Sequence, residues 1–306
     1  HLTDPMTGIP VASGRTGDPP GDFEASLEYE FRRPDVARFF DLMGRRDGTA
    51  ALSLETQGDP QASPRFREML APAGSADELR VVLSDAFGCW GTMSLFSARR
   101  FSEREVALVS ALSPAVTIAL RRARTAEGID AVDEGGTTVV ILDAADRVIA
   151  ADAHGRRRMT ELAGHAGTAL PSPLYVLAAR ARARDPERPA HAQARTAAGR
   201  WLSLDASPID DEAHGPVAVV LRPSAPDGVL DTILRAFGLS HRERQVAELA
   251  IRGQATKAIA AELMLSAYTV QDHLSNIYEK TDVHSRGDLA HLAFRRLAEP
   301  PPNRPA

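Results

Sequence analysis

Apolar positions along the chain change their spacing several times, and each change marks an element. Across residues 24–43, Leu27, Phe31, Phe39 and Leu42 can share one side of a helix that Pro34 should kink or divide. A polar, proline-bearing loop follows, then a short helix or turn over 63–70. From Asp77 the pattern becomes strand-like: 78–84 and 89–97 read as a hairpin through Asp85-Ala86-Phe87-Gly88. Ser102, with Glu105 three residues on, is a capping box. Val106, Val109, Leu112, Val116 and Leu120 then supply a helical stripe, with a kink expected at Pro114. Arg121, Arg122 and Arg124 suit that helix's negative end.

The second half repeats the alternation of strands and helices. TTVVILDAADRVIAAD predicts strand, tight turn and strand, and GRRRMTELAGH a short helix stopped by Gly164. A helical region over 173–184 and a proline-containing loop lead to a closing hairpin, 200–207 with 216–221. Strands, helices and strands again imply a mixed antiparallel α+β unit of roughly 85 residues. Between these parts, residues 1–22 read as turns or disorder, 127–136 as an acidic linker ending in Gly, and 223–228 as a second linker. The proline-rich tail over 299–306 reads as disordered.

Four short helices close the chain. Ser240 and Glu243 form another capping box ahead of Val246, Leu249 and Ala250, and Gly253 ends that helix. The second, from about Thr256, carries Ile259, Ala260 and Leu263; a turn over 264–266 separates it from the third, capped by Ser266. Ser285, with Asp288, opens the fourth. Two helices joined by a three-residue turn are a helix-turn-helix arrangement. At about 100° per residue, Val270, Leu274, Ile277 and Thr281 line one side of the third helix, Tyr278 sits at its edge, and Tyr268, Asp272, Ser275 and Glu279 lie opposite. Gln271 is on one flank and His273, Asn276 and Lys280 are on the other, so the outward side is dense in hydrogen-bonding groups.

Composition narrows the function classes. A length of 306 residues suggests two or three domains, and 43% hydrophobic with 25% charged residues is enough for real cores. A net charge of −5 argues against binding nucleic acid through overall charge. From Ser240 to Ala298 there are eight Lys/Arg against seven Asp/Glu, which predicts weak non-specific affinity and favours, as the plainer alternative, a helical bundle with a solvated face. The lone Cys89 excludes an internal disulfide and fits a reducing, cytoplasmic setting. No apolar run reaches the roughly 18 residues of a membrane span. His1 in place of an initiating Met is expected of a fragment or a processed chain. There is no GxSxG, HExxH or GxxxxGK pattern and no Cys/His cluster with metal spacing, so neither an enzyme nor a metal or cofactor is expected. Asp210-Asp211 reads as an exposed turn. The only two lysines, Lys257 and Lys280, both lie in the C-terminal helices, which leaves none for a phosphorylated receiver domain.

GLSHRERQVAELAIRGQATKAIAAELMLSAYTVQDHLSNIYEKTDVHSRGDLAHLAF resembles the LuxR-type DNA-binding domain of bacterial transcription regulators. The ordered positions are Leu239, Ser240, Arg242, Glu243, Gly253, Lys257, Ile259-Ala260, Leu265-Ser266, Thr269-Val270, His273, Asn276-Ile277, Lys280 and Arg286. The resemblance implies a dimer that lays its third helix in the major groove of double-stranded DNA. By position, Gln271, Asp272 and Ser275 would reach bases, while Thr256, Lys257, Thr269, His273, Asn276 and Lys280 would suit phosphates. Gln271 replaces the family's usual lysine; glutamine can pair with adenine and Asp272 can accept from cytosine N4. Thr281-Asp282 replaces the usual Leu-Gly, and Asp tolerates the left-handed conformation a cap needs there.

Upstream, 77–120 is similar to the end of a GAF domain, with TDPMTGIP as the remnant of an earlier strand, and 137–222 resembles a PAS-type module. The expected architecture is two α+β sensor-like modules followed by an all-α four-helix domain: 1–126 (truncated at its start), linker 127–136, 137–222, linker 223–229, 230–298 and a tail 299–306. The two resemblances imply small-ligand cavities, for which Cys89, Trp90, Met93 and Phe96, then Met159, Leu162, Tyr175 and Trp201, are candidate lining residues; Trp90, Met93, Tyr175 and Trp201 lead that set. The plainer reading makes them core. Two roles for the front end stay open, a sensor of a small-molecule effector and a ligand-free dimerisation scaffold, with RNA polymerase a further candidate partner and no membrane expected.

Overall fold

The computed structural model describes residues 1–12, 14, 16, 23–126, 136–163, 170–184, 190–197, 199–212 and 214–298. Most of the 127–136 linker, Gly164 and the tail from 299 lie outside them. Two antiparallel sheets, each in an α+β module, precede a C-terminal helical domain.

In the first module the strands are β1 (Leu2–Thr3), β2 (Pro10–Ala12), β3 (Thr49–Ala51), β4 (Asp77–Asp85) and β5 (Gly88–Ser97), in the order β2-β1-β5-β4-β3. Helices α1 (Phe23–Phe31), α2 (Phe39–Met43), α3 (Leu52–Glu55) and α4 (Glu103–Ala126) accompany them. Pro34 divides α1 from α2 as its missing N–H requires. The β4–β5 hairpin is the expected one. Residues 1–12 depart from the reading as turns or disorder: they form the sheet's edge, with Thr3, Asp4, Ile9 and Val11 buried. Gly8, at φ +66°, lies in the turn that returns the chain from β1 to β2. The short β3 was also missed, since Thr-Ala-Ala carries little strand preference. This core is interrupted by ions. Arg65 Nε lies 2.9 Å from Glu78, and Arg80 bridges Glu78 at 2.9 Å and Glu30 at 2.8 Å. Burial would raise the Glu78 carboxyl, but Arg80 and Arg65 hold it down to about 2.

The second module contains β6 (Thr138–Leu142), β7 (Val148–Ala151), α5 (Ala153–Ala163), α6 (Ser172–Ala183), β8 (His191–Arg195), β9 (Trp201–Pro208) and β10 (Val217–Pro223), in the sheet order β7-β6-β10-β9-β8. Only β8 was not expected; its inward Ala192 and Ala194 are fully buried but too small to announce a strand. The core here is aliphatic, built from Val140, Leu142, Leu174, Leu177, Leu204 and Val219 among others, and it takes in Ile9, Val11 and Leu27 from the first module. A hydrogen bond of 2.7 Å from Gln193 N to Asp4 Oδ2 reinforces that join. The modules therefore share a core rather than meeting at a simple boundary.

Helix α4 packs on β3, β4 and β5. Pro114 does not break it: Ser113 Oγ donates to Ser110 O at 2.9 Å, occupying the carbonyl that a proline nitrogen cannot reach. Within Glu103–Arg124 the most apolar 18-residue window has a mean hydropathy of 1.4, so by length and composition a helix able to cross a membrane is present, contrary to the sequence expectation. The uncharged run over 106–120 is itself shorter than a span. Val106, Val109 and Leu120 are half-buried toward the sheet, but Leu112 and Val116, expected in the same stripe, face solvent.

Helix α7 (Pro226–Ala236) replaces most of the second expected linker, with Pro226 in the first turn, where a missing N–H costs nothing. It leads into α8 (His241–Ile251), α9 (Thr256–Glu262), α10 (Ala267–Thr281) and α11 (Arg286–Ala298), which enclose Leu234, Leu239, Val246, Ile259, Leu274 and Leu289. Leu230 of α7 joins that core, while its Val229 and Ile233 pack on Trp201.

Candidate nucleic-acid interface

Local chemistry positions the four helices. Ser240 accepts from Glu243 N, and Glu243 Oε2 accepts from Ser240 N at 2.7 Å, completing the expected capping box. One turn geometry recurs at the helix ends. Gly238, Gly253, Met264 and Asp282 all have positive φ (75°, 82°, 54° and 54°). Each is followed by an N–H reaching five residues back: Leu239 to Leu234 O, Gln254 to Leu249 O, Leu265 to Ala260 O and Val283 to Tyr278 O. This is the Schellman closure. The bend between α9 and α10 is thus made by Met264, whose left-handed backbone leaves its side chain 90% exposed.

Helix α10 presents the two faces its sequence implies. Val270, Leu274, Ile277 and Thr281 are buried, and Thr281 returns its hydroxyl proton to Ile277 O at 2.7 Å. Ser266 caps the start, accepting from Thr269 N at 3.0 Å. Gln271, Asp272, Ser275 and Asn276 are exposed in the full chain, with neither front module lying over them. At about 1.5 Å per residue the helix is roughly 22 Å long. Its open side offers amide donors and acceptors, a hydroxyl and a carboxylate acceptor, the groups that distinguish base edges in a major groove.

The candidate residues divide by what they already touch. Lys257 and Asn276 are exposed, while His273 is half-buried. Thr269 shares its hydroxyl with the Ser266 cap at 2.8 Å. Thr256 Oγ1 accepts from Arg286 at 2.6 Å and from Gln271 Nε2 at 3.4 Å. Lys280 Nζ is bound to both Glu243 oxygens, at 2.7 and 2.8 Å. Burial would raise the Glu243 carboxyl, but Lys280 and Ser240 keep it below its ordinary value. Lys280 and Thr256 therefore first serve the domain's interior: one joins α10 to α8, the other α9 to α11. Arg286, which also donates to Gln254 O, is a residue the site reading missed; its place in the ordered sequence pattern was the available signal.

Most of the candidate cavity residues take core positions. Trp90 is 1% exposed, its Nε1 donating to Asp85 at 2.9 Å. Trp201 packs on α7 with Arg124 over its ring, and Tyr175 lies beneath Arg32. Cys89 packs with Leu42 and Val82, Leu162 and Met159 join the aliphatic core, Met93 is half-buried on β5 and Phe96 is partly exposed. Two cavities, of about 90 and 30 Å³, lie instead around Glu30, Phe31 and Phe40, and none of these eight residues lines them. Among the described residues, no group of three or more His, Cys, Asp or Glu side chains could hold a metal ion.

Residues 238–293 match the model of the family described as bacterial regulatory proteins, luxR family. The transcriptional regulatory protein UhpA of Salmonella typhimurium is 52% identical over 56 residues, covering 18% of this chain and 29% of that protein. DesR of Bacillus subtilis is 35% identical over 102 residues, 32% of this chain and 51% of DesR. The chain thus spans under a third of UhpA and about half of DesR. A solved Vibrio cholera VqmA–ligand–DNA complex aligns with 56% of this chain and 87% of its own at 19% identity, but a TM-score of 0.24 carries no argument about how the parts are arranged. The spore germination protein GerE of Bacillus subtilis is 46% identical over 61 residues, 20% of this chain and 81% of GerE. With its capped helices, Met264 turn and solvent-facing α10 in the same segment, the chain belongs to the luxR family of bacterial regulatory proteins.

Proposed function

We propose that this transcription regulator binds double-stranded DNA as a dimer, α10 entering the major groove. The observation that carries the reading is the open polar side of α10 in the full chain. Gln271, Asp272 and Ser275 read base edges, and Lys257, Thr269, His273 and Asn276 contact phosphates. Thr256 and Lys280, tied to Arg286 and Glu243, act by holding Gln271 and α10 in register. With few phosphate-directed cations, specificity rests on α10, and non-specific affinity is low.

The front modules, here read as GAF-like and PAS-like, serve more readily as a dimerising scaffold than as a metabolite sensor. What supports the scaffold is that the two cavities around Glu30, Phe31 and Phe40, of about 90 and 30 Å³ among the described residues, are smaller than the roughly 300 Å³ at which small-molecule sites begin.

Selection of bound duplexes from a random pool tests the DNA reading. An inverted repeat is expected, and Gln271→Ala with Ser275→Ala should abolish its enrichment; unchanged occupancy by that double variant would overturn the assignment. Lys257→Ala should weaken binding to all sequences alike and reduce the salt slope by about 1.

A further inference from the structure

Helix α4 leaves an apolar stripe uncovered. Leu108 is 59% exposed and Leu112 54%, and Ala115 and Ala119 beside them also face solvent. No described residue packs over this side, while the opposite side lies on β3, β4 and β5 and Arg121 there bridges Asp85 at 2.9 Å. A membrane span is excluded by the partner of its other side, because the open antiparallel sheet on which α4 packs could not satisfy its edge hydrogen bonds in hydrocarbon.

The order of the exposed residues identifies the occupant. Positions 108, 112, 115 and 119 advance by four, three and four, the alternation of steps found along the seam of paired helices. Glu105 and Arg122 continue the same spacing at the two ends. If two copies of α4 run antiparallel, every layer is complementary: Leu108 meets Ala119, Leu112 meets Ala115, and Glu105, already bridged by Arg99 and Ser102, faces Arg122. A parallel pair would stack Leu on Leu, Ala on Ala, and like charge on like charge at both ends, which is repulsive.

We infer that the outward side of α4 is the dimer seam of this protein, occupied by the antiparallel α4 of a second copy. This rests on the dimeric reading above and names its surface.

Sedimentation of the full chain, with Leu112→Arg beside it, tests the seam. Leu112 is exposed in the protomer, so the variant should keep its thermal transition while its dimer dissociation constant rises on the order of tenfold or more. Unchanged association would overturn the proposal. Cysteine pairing tests direction, Cys89 being buried. Leu108→Cys with Ala119→Cys should cross-link on oxidation. Ala119→Cys alone should not, because antiparallel copies of that residue lie roughly 16 Å apart, beyond the reach of a disulfide. Cross-linking by the single variant would overturn the antiparallel seam. Flotation of the wild-type chain with anionic phospholipid vesicles would replace the second copy with a lipid surface and likewise overturn it. If the wild type dimerises but enriches no DNA, the functional reading fails while the seam stands. If Leu112→Arg is monomeric yet retains half-site binding, both stand.

Discussion

Helices α10 and α4 both bury one side, yet what each leaves in water is opposite. Outside α10 stand an amide, a carboxylate and a hydroxyl; outside α4 stand leucines and alanines. Polar groups already satisfied by water can wait for a partner and then choose it by direction, because each hydrogen bond exchanges one partner for another. Apolar surface has no such resting state, and covering it is favourable at roughly 25 cal/mol per Å². The first helix is suited to a site that must discriminate, and the second to an association that must persist.

The largest effect that could break this contrast compares the same substitution on the two helices. Leu274→Ala, at 1% exposure, should cost about 2–5 kcal/mol in chemical denaturation. Leu112→Ala, measured at a concentration where the chain is a single protomer, should stay within about 0.5 kcal/mol. Equal losses would mean that α4 is covered within the protomer.

Next in size is the interior tie of α10. Lys280→Met strands the Glu243 carboxylate and should cost about 1–3 kcal/mol. The pair also has a pH signature. Because the Glu243 carboxyl lies below its ordinary value, its contribution is present above the usual carboxylate range and lost as pH falls through the lowered one. Acid titration of stability should therefore be flatter in Lys280→Met; an unchanged acid limb would show that the bond does not matter in solution.

Two smaller changes sharpen the account of how α10 is aimed. Ser266→Ala removes the acceptor for Thr269 N and should cost about 1 kcal/mol, read as a fall in the melting temperature. Asp282→Gly, at φ 54°, should gain up to about 1 kcal/mol by relieving the left-handed backbone. A loss there would mean that the Asp side chain supports the cap more than its conformation strains it.

How far these helices could be read in advance depended on the range of the forces involved. The Ser240–Glu243 box, the Ser266 cap, the Val270–Thr281 stripe and the Asp282 turn all rest on contacts within one turn of helix, and the structure contains each of them. The Glu243–Lys280 pair spans 37 positions, and nothing in the periodicity of either helix requires it. Residues 1–12 and 191–195 were misjudged for a related reason: short, alanine- or glycine-bearing segments become strands only when a neighbour supplies the hydrogen bonds.

Alone, the order of residues determined the four-helix domain, its turn and the polar character of α10, because spacing and capping act between neighbours along the chain. Tertiary structure decided which side of α4 is covered, which cations are already spent on internal carboxylates and where the cavities lie. Those are properties of surfaces that meet only after folding, when distant segments compete for the same area, and no local pattern records the outcome.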